Sequence, residues 1–400
     1  MMQIRKPSRR HFLKAALGAA SVGATSLGAV WLDRGWLDGG WLSGTWRNGD
    51  TPCQDRFAPL PPVRSIVPVV GDGKYIWNDP PTDQTGYLEP RPYQLKVGMR
   101  LEGTGPATQI MATTAAPVEH PEQAITGYDL DGAGCRVALR ALSREAGQVV
   151  LSAPGIVEGQ VIVGAALFRL TLHKSYQGYE RDRFPAEQEF PKDFRKLYMY
   201  DSPGIQTRGR DVRELAVKIA GQIDHPWDKA RAYYGWVWEN IRARTGPYTS
   251  VVEALRDRVG DCEERAAVFV ALCRVSGIPA RLVWVPNHNW AEFFLLDEQG
   301  EGHWIPAHTS AYNWFGWTGA HELVLQKGDS IYVPEKRKEY RLLADWMQWQ
   351  GARPKAHYFA ELTPLPPEGG AEAGPGARSK DEKGEWLVVK NHPLDKYTRV

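Results

Sequence analysis

Between residues 95 and 102 apolar and polar side chains alternate, Leu95, Val97, Met99 and Leu101 against Lys96, Arg100 and Glu102. A two-residue period predicts a strand with one face in a core. The same alternation recurs at Cys135-Val137-Leu139 and at Phe168-Leu170-Leu172. Turns bearing glycine and proline separate these runs, which predicts a β-rich, sandwich-like or barrel-like domain over residues 61–200. No catalytic motif lies within it.

From about residue 208 the period lengthens to that of helices. Arg210 to Ile223, Asp228 to Ile241 and Val251 to Arg258 fit the pattern, and Pro226 suits the first turn of the second helix. A further helix opens at Gly260-Asp261-Cys262-Glu263-Glu264-Arg265, with Ala266, Phe269, Val270 and Cys273 at helical spacing behind Cys262. Gly277-Ile278-Pro279-Ala280-Arg281 then turns the chain into an apolar strand, Leu282-Val283-Trp284-Val285. On the strand that follows, His288, Trp290 and Glu292 share one face.

Cys262 is therefore expected at a helix N-terminus, where unpaired amides and the helix dipole lower a thiol's pKa and can bind a developing oxyanion. A cysteine on a helix tip facing a histidine on a sheet is a workable nucleophile and base. Gly-Asp-Cys, then Gly-Ile-Pro-Ala-Arg, then His-x-Trp-x-Glu resembles the core of the transglutaminase-like superfamily in order and spacing, over roughly residues 208–310. The resemblance implies an α+β fold: a transglutaminase-like (papain-like) helix-plus-antiparallel-sheet domain preceded by the β-rich, sandwich-like domain. It also implies Cys262 as nucleophile, His288 as base, a thioester intermediate and a protein or peptide substrate. The family usually completes a triad with aspartate in a pattern like Trp-x-Pro-x-Asp. Here the strand reads Trp304-Ile305-Pro306-Ala307-His308, so His308 stands in the third position. A neutral His308 can fix the His288 tautomer but gives little support to an imidazolium. Two readings follow: a cysteine-dependent acyl transferase or hydrolase acting on peptide or glutamine-type amides, and a weak or inactive relative that binds peptide or cell-envelope components. Glu292 reads as a satisfied strand-edge carboxylate, and Trp290 as packing against the site.

Four cysteines allow three full pairings. Cys262 and Cys273 lie on one predicted helix, roughly 16 Å apart at about 1.5 Å per residue, beyond disulfide reach. A Cys53–Cys135 pair stays open and would leave the later two reduced. A metal centre of Cys262, His288 and His308 has suitable ligand types, but no C-x-x-C, H-E-x-x-H, phosphate loop or calcium loop is present, so no cofactor or metal is expected. Lysine plus arginine (49) nearly balance aspartate plus glutamate (47), which argues against a nucleic-acid partner.

The N-terminus adds an address. Ser8-Arg9-Arg10-His11-Phe12-Leu13-Lys14, followed by the apolar stretch Ala15 to Leu32, resembles a twin-arginine signal and implies the export machinery as partner, with a periplasmic or outward-facing location. Val22-Gly23-Ala24 offers a weak cleavage site; if residues 1–32 stay uncut, the stretch from Ala15 to Leu32 is about long enough for a membrane tether. Trp31, Trp36, Trp41 and Trp46 recur every five residues, matching neither helix nor strand, and read as a Trp/Gly-rich linker over residues 33–60 or as interfacial indoles beside an uncut signal. The transglutaminase-like domain is expected over 205–363. A flexible tail over 364–400 follows, with one terminal strand at Trp386-Leu387-Val388-Val389.

Overall fold

The structure, a computed structural model, describes residues 79–366 apart from residue 245 and residues 311–313. The export motif, the linker, Cys53 and the tail beyond residue 366 lie outside the described residues.

Six strands open the described chain: β1 (Gly86–Glu102), β2 (Ala107–Ala116), β3 (Gln123–Ala133), β4 (Arg136–Ser143), β5 (Ala146–Ile156) and β6 (Val161–Tyr176). In β1 the alternation acts as expected: Leu95, Val97, Met99 and Leu101 are buried while Lys96 and Arg100 are exposed. They pack with Ile110, Leu151, Ile162 and Phe168 into one core between facing sheets. Gly98 sits where β1 and β6 press together, since a Cβ there would fall 2.2 Å from the Gly164 carbonyl oxygen.

Helices follow: α1 (Lys192–Tyr198), α2 (Arg210–Ala220) and α3 (Pro226–Asn240). A short parallel pair, β7 (Arg242–Ala243) and β8 (Val259–Gly260), brackets α4 (Val251–Asp257) and delivers the chain to α5 (Cys262–Val275). Every residue of α5 from Glu264 to Arg274 is buried. A helix apolar on all sides must be wrapped, and α2, α3, α4 and the sheet below do so. Phe269, Tyr233, Trp227 and Phe293 anchor this second core.

Below α5 lie β9 (Ala280–Val285), β10 (His288–Leu296) and β11 (Gly302–Ala307); the chain then runs through β12 (Trp317–Thr318), β13 (Gln326–Lys327), the β14 (Ile331–Val333) and β15 (Lys338–Tyr340) pair, β16 (Trp346–Gly351) and β17 (Lys355–Pro364). One eight-stranded sheet runs β11-β10-β9-β13-β5-β2-β16, with β4 also on β5; a five-stranded sheet runs β12-β6-β1-β17, with β3 on β6. β13 bonds to β9 on one side and to β5 on the other, so strands of the β-rich region continue the sheet that carries His288. β16 and β17, which sequence grouping places with residues 205–363, pair with β2 and β1. Their pairing covers backbone that would otherwise be a long open edge.

A buried charge network pins this seam. Arg281 Nε donates to Glu292 Oε2 at 2.7 Å, and the same guanidinium bonds Glu145 from the turn before β5. Lys327 Nζ reaches Glu292 Oε1 at 2.8 Å and Glu122 Oε1 at 2.6 Å. The Tyr198 hydroxyl donates to Glu145 as well. The arginine of Gly-Ile-Pro-Ala-Arg is thus a structural clamp. Glu292 is satisfied as expected, but it lies on β10, flanked by β9 and β11, and not on a strand edge.

Candidate functional site

Gly260-Asp261-Cys262 builds a helix start. Asp261 is the N-cap: its Oδ1 accepts the Glu263 N–H at 2.8 Å, and its own N–H donates to Glu264 Oε2 at 2.9 Å, a reciprocal capping box. Glu264 Oε1 also accepts the Thr249 N–H at 2.7 Å. A Cβ at residue 260 would lie 2.4 Å from Glu264 Cβ, so only glycine admits the folded-back glutamate. The first two motif residues therefore set the geometry of the third.

Cys262 is the first residue of α5 and is half-buried. The backbone N–H of Asn289 and its own N–H point at the sulfur and favour thiolate, but burial, together with the Asp261 and Glu263 carboxylates, pushes the thiol well above its ordinary range. A lowered pKa was the expectation from helix position. The reversal has a local cause: burial of the sulfur, with the acidic residues that cap α5 adding to it, outweighs the helix end. At rest Cys262 is a neutral thiol.

The Asn289 contact places the sulfur against the second residue of β10, the chain neighbour of His288. β9 and β10 are joined by Pro286 and Asn287, with Asn287 at φ 57°, a left-handed conformation that asparagine tolerates. His288 pairs with Val285 across this turn and so stands at the tip of the hairpin. Its Nε2 is 3.1 Å from Nε2 of His308, with the rings 4.9 Å apart and 23° from parallel. One proton between these nitrogens makes the bond, which leaves Nδ1 as the His288 nitrogen not engaged in it. Burial first, and for His288 also its imidazole neighbour, lowers both histidines to about 3, so both are neutral.

His308 is held on several sides. Its N–H donates to the Trp314 carbonyl at 2.9 Å, and its carbonyl accepts the Tyr234 hydroxyl at 3.3 Å. Trp290 stacks on its ring at 6.0 Å and Trp314 meets it edge-on at 5.2 Å. Trp290 therefore packs against the third position.

One residue of this cluster escaped the sequence reading. Glu322, in the segment between β12 and β13, places Oε1 3.8 Å from His308 Nε2. Ligand-type atoms of His288, His308 and Glu322 all lie within 4.8 Å of one another, and all three residues are buried. The trio that converges is this one and not Cys262, His288 and His308. Glu322 sits one residue before the apolar run Leu323-Val324-Leu325. A lone carboxylate against such a run was the only signal available for it. Burial raises its carboxyl to about 7, with His288 and Trp290 pulling in the other direction.

A cysteine at the tip of a wrapped helix that packs on an antiparallel sheet carrying a histidine is a papain-like α+β arrangement. Residues 213–309 match the sequence model of the transglutaminase-like superfamily, and the fold of this part of the chain is transglutaminase-like. Among solved structures, the chain is similar to a candidate cysteine protease from Cytophaga hutchinsonii at 16% identity and a TM-score of 0.47, covering 70% of this chain and 92% of that one. It is also similar to the periplasmic domain of TgpA from Pseudomonas aeruginosa bound to ethylmercury, at 10% identity and a TM-score of 0.25, covering 57% and 92%. A candidate protease from Parabacteroides distasonis aligns at 13% identity and a TM-score of 0.24, over 53% of this chain and 42% of that one. No curated protein matches the chain.

Proposed function

We propose that this protein is a cysteine-dependent acyl transferase or hydrolase acting on peptide or glutamine-type amides. The observation that carries the reading is the Cys262 thiol at the start of α5, against Asn289 of β10, whose chain neighbour His288 has its Nε2 bonded to His308. The resting pair is neutral. As Sγ attacks the amide carbon, His288 Nδ1 takes the thiol proton, and the carbonyl oxygen gains charge near the amides at the start of α5. The imidazolium then gives that proton to the departing amine; the C–N bond breaks and a thioester remains. Water or a primary amine, deprotonated by His288, attacks the thioester and frees the thiol. Hydrolysis and transamidation differ only in that acceptor.

The Ser8 to Lys14 motif supports export by the twin-arginine route, with action on secreted or envelope amides. Among the described residues no helix is long and apolar enough to cross a membrane.

The test pairs a glutamine-containing peptide with a fluorescent primary amine and follows both ammonia release and amine incorporation. Wild type is expected to release ammonia and Cys262→Ala to release none. Equal release by the two proteins, or none by folded wild type across a panel of glutamine peptides and protein amides, contradicts the reading.

A further inference from the structure

A family aspartate is missing at residue 308, yet the cluster is not without a carboxylate. His288 Nε2 and Glu322 Oε1 both approach the same atom, His308 Nε2, at 3.1 Å and 3.8 Å. Glu322 is 5% exposed, with the Trp290 indole as a donor near it and, among the described residues, no cationic side chain closer than the 3.8 Å approach to His308. An ionised buried carboxylate without a cationic partner is costly unless a positive charge forms beside it. The proton transfer assigned above forms one, on His288, within reach of Glu322.

We propose that Glu322 is the positioning carboxylate of this site: it neutralises the charge that the His288–His308 pair carries once the Cys262 proton has moved to His288 Nδ1. Glu322 itself neither gains nor loses a proton in the step. The shared proton stays between the two Nε2 atoms, the thiol proton stays on Nδ1 until the leaving group takes it, and the positive charge is balanced by the carboxylate. A carboxylate lost from the strand is supplied from the segment between β12 and β13. The inference rests on the acyl-transfer reading above.

The groups facing Glu322 decide how it titrates. His288 and Trp290 face it from β10, His308 from the end of β11, and Glu122 from the segment before β3, with Lys327 paired to Glu122 at 2.6 Å. Both histidines are neutral above about 3. As pH rises through about 7, the charge that appears in this cluster is therefore that of Glu322. Acylation should rise over that interval.

The experiment uses p-nitrophenyl acetate as the acyl donor and measures the nitrophenolate burst of the full chain at pH 6 and pH 8, with Cys262→Ala as blank. Wild type is expected to acylate faster at pH 8 than at pH 6. Glu322→Gln should slow the burst at pH 8 by about 10- to 1000-fold, the effect of one nearby opposite charge on an ionisation, and lose the rise centred near pH 7. Glu322→Asp should recover part of both. In a His308→Asp background, which restores a strand carboxylate, Glu322→Gln should cost much less. If folded Glu322→Gln keeps the wild-type rate and pH dependence, the proposal falls and the acyl-transfer reading stands. If wild type shows no burst above Cys262→Ala, both fall. Stoichiometric zinc in the purified protein, with acylation restored by chelation, would also overturn the proposal, because the trio would then be a ligand set.

Discussion

His288→Ala slows acetylation of Cys262 by p-nitrophenyl acetate by about 10²- to 10⁴-fold, the usual worth of a positioned general base. The size follows from the resting state. Burial and the Asp261 and Glu263 carboxylates hold the thiol protonated at neutral pH, so almost no thiolate exists until a base takes the proton. In the variant only that trace of thiolate reacts, and the rate should climb with hydroxide concentration throughout the measurable range. Wild type should instead show the shallower profile of a thiol whose proton leaves during attack. Removing the ring leaves His308 Nε2 without its 3.1 Å partner, which costs about 1 kcal/mol and should leave the fold intact. Burst kinetics and near-ultraviolet circular dichroism on the same samples check both statements. A variant that acylates at the wild-type rate removes His288 from the mechanism.

Arg281→Met destabilises the protein by about 3–5 kcal/mol, the cost of breaking a buried ion pair by removing one partner. Arg281 is 4% exposed, and its guanidinium bonds both Glu145 and Glu292 and lies 3.8 Å from the centre of the Trp304 ring. Glu292 would keep Lys327 and Glu145 would keep the Tyr198 hydroxyl, but each loses its guanidinium inside the sheet seam. Urea unfolding gives the loss directly. Adding Glu145→Gln to Arg281→Met should recover part of it, because the stranded charge goes too; a double variant no better than the single one would assign the loss to packing on Trp304.

Much of the architecture was legible because period and burial coincide. The alternation at Leu95, Val97, Met99 and Leu101 marks a strand whose inner face is buried. Predicted helices at Arg210, Asp228 and Val251 appear as Arg210–Ala220, Pro226–Asn240 and Val251–Asp257, each ending earlier than its apolar pattern. Local pattern cannot show partners, however. Nothing in Trp346–Gly351 or Lys355–Pro364 says that they pair with β2 and β1, since pairing is a long-range choice fixed by which edges remain open. The convergence of His288 with His308 was readable from the spacing of two adjacent strands. Glu322 was not, because it stands in a segment without a period and reaches the cluster only through the fold. The Cys262 pKa departs from its helix position for a related reason: a helix start is visible in sequence, whereas the burial of the sulfur, with the acids beside it, exists only in the folded chain.

The most direct test of the account is to trap its intermediate. Wild type is mixed with p-nitrophenyl acetate, quenched in acid within the burst, digested and mapped by mass spectrometry. The account predicts one acetyl group, on the peptide that contains Cys262, removed by neutral hydroxylamine as a thioester is. An unmodified Cys262 in folded protein, or label only on Cys135, Cys273 or lysine amines, would contradict it.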